Sequence, residues 1–159
     1  MQNAGADARP LYRERLAPSL WLFLAAALAG PMLALCFVPV GQVVALLIGV
    51  CATAAIIWLI IAGSPTVSVR GRTLRAGRAW IDARWLGEAR VLHGEEARTA
   101  RGPGLPARGW HLIRGGIDGV VVVPNLDPDD PVPSWTISTR TPDRLAAAID
   151  AARAASGEA

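Results

Sequence analysis

The sequence predicts an α+β membrane protein: a two-helix transmembrane hairpin, then a small antiparallel β domain closed by a C-terminal helix. Three observations carry this. No Asp, Glu, Lys or Arg occurs between Arg15 and Arg70. Two apolar runs, residues 19–38 and 43–62, lie in that neutral stretch, each long enough at about 1.5 Å per residue to cross a hydrocarbon core of about 30 Å. Beyond residue 63 the chain changes to short β-branched runs punctuated by Gly and Pro, with one amphipathic stripe at the end.

The chain has 159 residues, of which 18% are charged and 52% hydrophobic, and this apolar content excludes a disordered class. The predicted organisation is a cytoplasmic N-terminal segment over 1–18, the hairpin over 19–62, and a cytoplasmic β-rich domain over 63–159. The first span opens on Leu20-Trp21-Leu22-Phe23-Leu24 and the second closes on Ile56-Ile57-Trp58-Leu59-Ile60-Ile61-Ala62. Pro39-Val40-Gly41-Gln42 between them reads as a tight, water-facing turn. In hydrocarbon a segment must satisfy its own backbone hydrogen bonds, so both runs are expected to be helical. Arg9, Arg13 and Arg15 flank the first span, Arg70, Arg72, Arg75 and Arg78 follow the second, and the turn carries none. Positive-inside bias then places both termini in the cytoplasm of a multi-pass inner-membrane protein, with Trp21 and Trp58 near its cytoplasmic boundary. A cleaved leader over 1–36 is the rival. Its apolar run is long for a leader, and Cys36 before the cut is unusual.

Ala26, Gly30 and Ala34 recur every four residues on the first span, and Ala45, Gly49 and Thr53 on the second. Such stripes let helix backbones approach closely, within the hairpin or against another chain. Pro31 is expected to kink the first helix. Ionisable groups mark ion paths through membranes, and neither span has one, so pumping by the hairpin alone is not expected.

In the second half, Thr66-Val67-Ser68-Val69, Thr73-Leu74-Arg75-Ala76 and Ala79-Trp80-Ile81-Asp82 read as strands separated by Gly71 and Gly77. Further strands are expected at 88–92, 110–114, 119–123 and 135–139, with Gly115-Gly116 as the turn between the second and third of these. A short helix over 94–101 places Glu95 and Glu96 first and Arg98 and Arg101 last, as the helix dipole favours. The final helix, about 142–154, has Thr141 as cap, Pro142 at its first position, and Leu145, Ala148, Ile149 and Ala152 as one apolar stripe. The residues after Ala154 read as a frayed tail. Antiparallel strands followed by one plugging helix have a pleckstrin-homology-like layout, an analogy of pattern.

Tyr12-Arg13-Glu14-Arg15-Leu16, Arg101-Gly102, and the run Asp127-Pro128-Asp129-Asp130-Pro131-Val132-Pro133-Ser134-Trp135 leading into Ser138-Thr139-Arg140-Thr141-Pro142 carry a resemblance. With them the chain resembles, over nearly its whole length, the actinobacterial membrane proteins grouped as domain of unknown function 3093. Ser134 departs from the aromatic expected before the Trp. The resemblance implies an integral membrane protein with a cytoplasmic domain and implies no activity.

Most chemistries find no support. All 16 basic residues are Arg, a bias expected of a high-GC bacterial genome, and the absence of Lys excludes a P-loop. The net charge of +3 comes from interspersed Arg and acid, not a dense basic block, so nucleic acid is not an expected partner. Cys36 and Cys51 lie in the apolar stretch and read as small hydrophobes. His93 and His111 lack a second ligand at metal spacing, and no G-x-S-x-G occurs. The run from Asn125 has Asp130 and Thr136 where a calcium loop needs Gly and Glu. Asp127, Asp129 and Asp130, with Trp135 and Arg140, are therefore read as a Pro-stiffened turn or a loop offered to a partner. Arg140 beside Thr139 and Thr141 is a lesser anion-site candidate.

Arg70, Arg72, Arg75 and Arg78 are the leading surface candidates, for lipid headgroups or for topology alone. The expected function is a non-enzymatic binding or scaffolding module held at the inner leaflet, without cofactor or metal. The alternative is an accessory subunit of a membrane enzyme or transport complex. Expected partners are the lipid bilayer and another membrane or membrane-associated protein, and a homo-oligomer stays open.

Overall fold

A computed structural model describes residues 10–157. Arg9 of the predicted flanking set and the last two residues of the predicted tail lie outside the described residues. In chain order the elements are β1 (Tyr12–Arg15), α1 (Leu20–Phe37), a 3-10 turn (Val38–Val40), α2 (Gln42–Ala62), β2 (Thr66–Arg70), β3 (Thr73–Ala76) and β4 (Ala79–Asp82). A second 3-10 turn (Ala83–Trp85) leads to β5 (Arg90–Leu92), α3 (Gly94–Ala100), β6 (Trp110–Leu112), β7 (Val120–Pro124), β8 (Ser134–Ser138) and α4 (Pro142–Gly157). Contacts divide the chain into two compact units, Ala17–Ser64 and the remainder.

The Ala17–Ser64 unit is the pair α1 and α2, both long and apolar enough to cross a membrane. Large apolar residues cover their outer surface, among them Leu20, Leu28, Met32, Leu47 and Val50, all exposed. What is buried between the helices is small: Ala26 and Gly30 of α1, and Ala45 and Gly49 of α2. Pro31 sits inside α1, which remains one continuous helix on either side of it.

The other unit is built on two four-stranded sheets. The first runs β1-β2-β3-β4, antiparallel throughout. Gly71 and Gly77 make its two tight turns at φ 51° and 64°, where a β-carbon would be strained. β1 is an element the sequence did not suggest. Four residues, three of them charged, carry no apolar run, and their pairing partner in β2 lies beyond the whole hairpin. The register Arg15↔Thr66 and the Leu16 N–H to Pro65 C=O bond (2.9 Å) set the residues that precede α1 beside those that follow α2.

The second sheet has order β5-β7-β8-β6. The reading of Gly115-Gly116 as a turn between paired strands is corrected: β6 does not pair with β7, and lies parallel to β8 with Trp110 opposite Trp135. Residues 113–119 carry the chain across β8, a connection that leaves no local trace in the pattern. β-branched residues alternate so that Val121, Val123, Trp135 and Ile137 meet Val67, Val69, Leu74 and Ile81 of the first sheet in one core. Leu145, Ala148, Ile149 and Ala152 of α4 complete it, the stripe that 3.6-residue periodicity places on one face. α4 runs on to Gly157 instead of fraying after Ala154.

Candidate functional site

The polar centre of the β unit is a junction between β1 and the start of α4. Strand alternation turns Tyr12 and Glu14 inward and leaves Arg13 and Arg15 exposed. The inward pair meets Thr139, Arg140 and Thr141, which end β8 and lead into Pro142. Tyr12 donates its hydroxyl proton to Glu14 Oε2 at 2.5 Å, and Thr139 donates to the same oxygen at 2.6 Å. With the Tyr12 proton so placed, the Thr141 hydroxyl is the donor across its 2.9 Å contact with the Tyr12 oxygen. The Arg140 backbone N–H donates to Glu14 Oε1 at 3.1 Å, and the Arg140 guanidinium lies 3.6 Å from that oxygen. The Thr141 N–H turns back onto Thr139 Oγ1 at 3.1 Å, which fixes the backbone entering the helix.

Each member therefore has a partner in a region where an unmatched polar group costs about 1–3 kcal/mol. Thr139 is fully buried and Tyr12 only 7% exposed. Burial, followed by the hydrogen bond to Glu14 and the nearby carboxylate charge, raises the Tyr12 pKa above the ordinary phenol value. The phenol stays neutral and acts as donor. Thr139 and Arg140 hold the Glu14 carboxylate of the same chain, and Thr141 bonds the Tyr12 hydroxyl. These bonds clamp the strand before α1 to the root of α4.

The other candidates are placed as follows. Arg70 ends β2, Arg75 lies on β3, and Arg72 and Arg78 sit in the two turns, all in the first sheet. Arg72 pairs with Asp82 at 3.9 Å. The acidic run is held by its own bonds. Asn125 Nδ2 donates to Asp130 Oδ2 and to the Val132 carbonyl, both at 2.8 Å. The N–H groups of Asp127, Asp129 and Val132 bond back to Asn125, Asp127 and Asp130. The run is thus a series of side-chain-to-backbone turns. Trp135 is a correction to the partner-loop set: it is 3% exposed and packs on Trp110 with centroids 5.8 Å apart. Its period-2 spacing from Ile137 was the signal for core. Arg101, another of the resembling residues, holds the Ile117 carbonyl and lies 3.4 Å from Asp118, tying the end of α3 to the loop before β7.

In the hairpin, the two stripes meet each other. A β-carbon on Gly30 would stand 1.7 Å from Thr53 Oγ1 and 2.9 Å from the Gly49 carbonyl, and one on Gly49 would stand 2.8 Å from Ala34 Cβ. Thr53 donates to the Gly49 carbonyl at 2.9 Å. A solvent-open groove of about 470 Å³ lies on the far face of the second sheet, with Thr136 and Val122 below and Glu96 and Thr99 at one side. Thr136 Oγ1 there has no protein partner, and a single hydroxyl does not converge with others to define a ligand. Among the described residues no group of three or more His, Cys, Asp or Glu comes together around a metal position.

An α+β chain in which a pair of apolar helices interrupts a β module is the class these features define. More particularly, the chain belongs to the family described as Protein of unknown function (DUF3093), whose model matches residues 11–149. That range takes in the clamp, the hairpin and both sheets. No curated protein and no solved structure matches the chain.

Proposed function

We propose that the chain is an integral inner-membrane protein whose helical hairpin anchors a cytoplasmic β module, and that the module binds or scaffolds a membrane partner without catalysing a reaction. The observation that carries this reading is the surface of α1 and α2. Only 11% of each span is buried inside the molecule, although the helices are apolar on every side. A core helix of a water-soluble protein buries most of such a surface, whereas hydrocarbon solvates it directly. A leader covering the first helix would leave the second equally bare.

The β1–β2 pairing supports a hairpin whose two ends lie on one side of the membrane, and the flanking arginines support the cytoplasmic side. The two sheets and closing helix support a pleckstrin-homology-like module, from which parallel β6 departs. Anchoring such a module raises its effective concentration near membrane partners. The accessory-subunit reading loses its main feature, because the small-residue stripes pack against each other within the hairpin. A partner helix would meet the outer Leu and Val surface instead.

Alkaline carbonate washing of membranes tests the anchoring. The full-length chain is expected in the pellet, released only by detergent. Recovery from the aqueous supernatant without lipid or detergent would end this reading.

A further inference from the structure

The antiparallel register of the first sheet lines up Arg13, Ser68, Arg75 and Trp80 in one row across all four strands. The core takes the alternate positions, Tyr12, Val67, Val69, Leu74 and Ile81, so the row lies on the opposite face, where Ser68 is buried among its neighbours. Arg13 and Arg75 are exposed, and Trp80 is 70% exposed, unusual for an indole. The adjoining row is Arg70, Thr73 and Asp82. Asp82 is the single acid on this face among the described strand residues, and it is engaged by Arg72 at 3.9 Å and by the Arg84 N–H at 3.0 Å. The face is therefore cationic, with a large amphipathic ring beside its central arginine.

We propose that this face docks on an anionic lipid leaflet, with Arg13, Arg70 and Arg75 meeting headgroup phosphates and Trp80 seated at headgroup level. The proposal rests on the anchoring reading above. Guanidinium groups bind phosphate oxygens in a planar fork, and an indole prefers the boundary between water and hydrocarbon. Soluble polyanions would also be attracted by the charge. The leaflet is favoured because only Leu16–Ser19 and Gly63–Pro65 separate β1 and β2 from the apolar helices, so an anchored chain holds this sheet at high effective lipid concentration. Arg70 and Arg75 then do more than set topology, and Arg13, from the other end of the hairpin, joins them.

The test uses the full chain in lipid nanodiscs of phosphatidylcholine alone or mixed equally with phosphatidylglycerol, each with a brominated quencher lipid. The chain has six tryptophans, so the difference between wild type and Trp80→Phe isolates Trp80. The expected result is a Trp80 signal quenched by brominated lipid in the anionic discs. It should be open to aqueous quencher in neutral discs, in high salt and in the Arg13→Gln/Arg75→Gln variant, whose folding is checked by near-ultraviolet circular dichroism. A Trp80 signal equally open in both disc types overturns the docking while leaving the anchor intact, whatever soluble polyanion the face then binds. A chain that never enters discs defeats the anchoring and the docking together.

Discussion

Tyr12 shows how much one side chain does in this fold. Its ring lies in the core while its hydroxyl joins Glu14, two residues away, to Thr141, more than a hundred residues on. Tyr12→Phe keeps the ring and deletes the hydroxyl, so Glu14 Oε2 and the Thr141 hydroxyl each lose a partner. The expected loss is about 1–3 kcal/mol, read as a lower unfolding midpoint in detergent. The folded pKa of Tyr12 is raised above its unfolded value, so the unfolded chain gives up this proton first. The contribution is complete below about pH 10, the unfolded phenol value, and is lost as pH rises through the folded pKa. Since Tyr12 is the chain's one tyrosine, its phenolate absorbance reads this site alone. Titration midway at the ordinary phenol value in the folded protein would show that the hydroxyl is not buried as described.

The same logic carries to whole elements. α4 closes the core through Leu145 and Ile149, both fully buried. Leu145→Ala should cost about 2–5 kcal/mol, with exposed Ala147→Ser as the silent control. In the hairpin, Gly30→Ile places a side chain where Thr53 and the Gly49 backbone already stand. It should lower the hairpin's thermal midpoint by the equivalent of about 1–3 kcal/mol, while Leu28→Ile, on the exposed surface, leaves it unchanged. The sequence made some elements plain and hid others for reasons these residues illustrate. α1 and α2 announce themselves because apolar length is a one-dimensional signal. β2, β3 and β4 do so because Gly71 and Gly77 mark both turns between alternating runs. β1 stayed hidden because Tyr-Arg-Glu-Arg has no apolar pattern of its own and pairs across the hairpin. The parallel β6–β8 pair and the clamp stayed hidden for the same reason: both depend on residues brought together from far along the chain. Of the surface candidates, Arg75 and Arg70 were visible as charges, but their row with Arg13 and Trp80 exists only once the register is known.

At the scale of the whole molecule, a pair of apolar helices is inserted between two strands of one sheet. The clamp at Glu14 then ties the insertion point to α4 at the start of the C-terminal helix. The proposed anchoring puts hydrocarbon around α1 and α2, and Cys51 reports on that surrounding directly. Its thiol is free and exposed on the surface of α2. A thiol facing water is open to a water-borne maleimide, whereas hydrocarbon excludes a charged reagent from it. With Cys36 replaced by Ala, intact membranes are treated with a membrane-impermeant maleimide, before and after denaturation in dodecyl sulfate. The account predicts an unlabelled Cys51 in the membrane and full labelling once lipid is stripped away. Prompt labelling of Cys51 in the native, undissolved protein would contradict it.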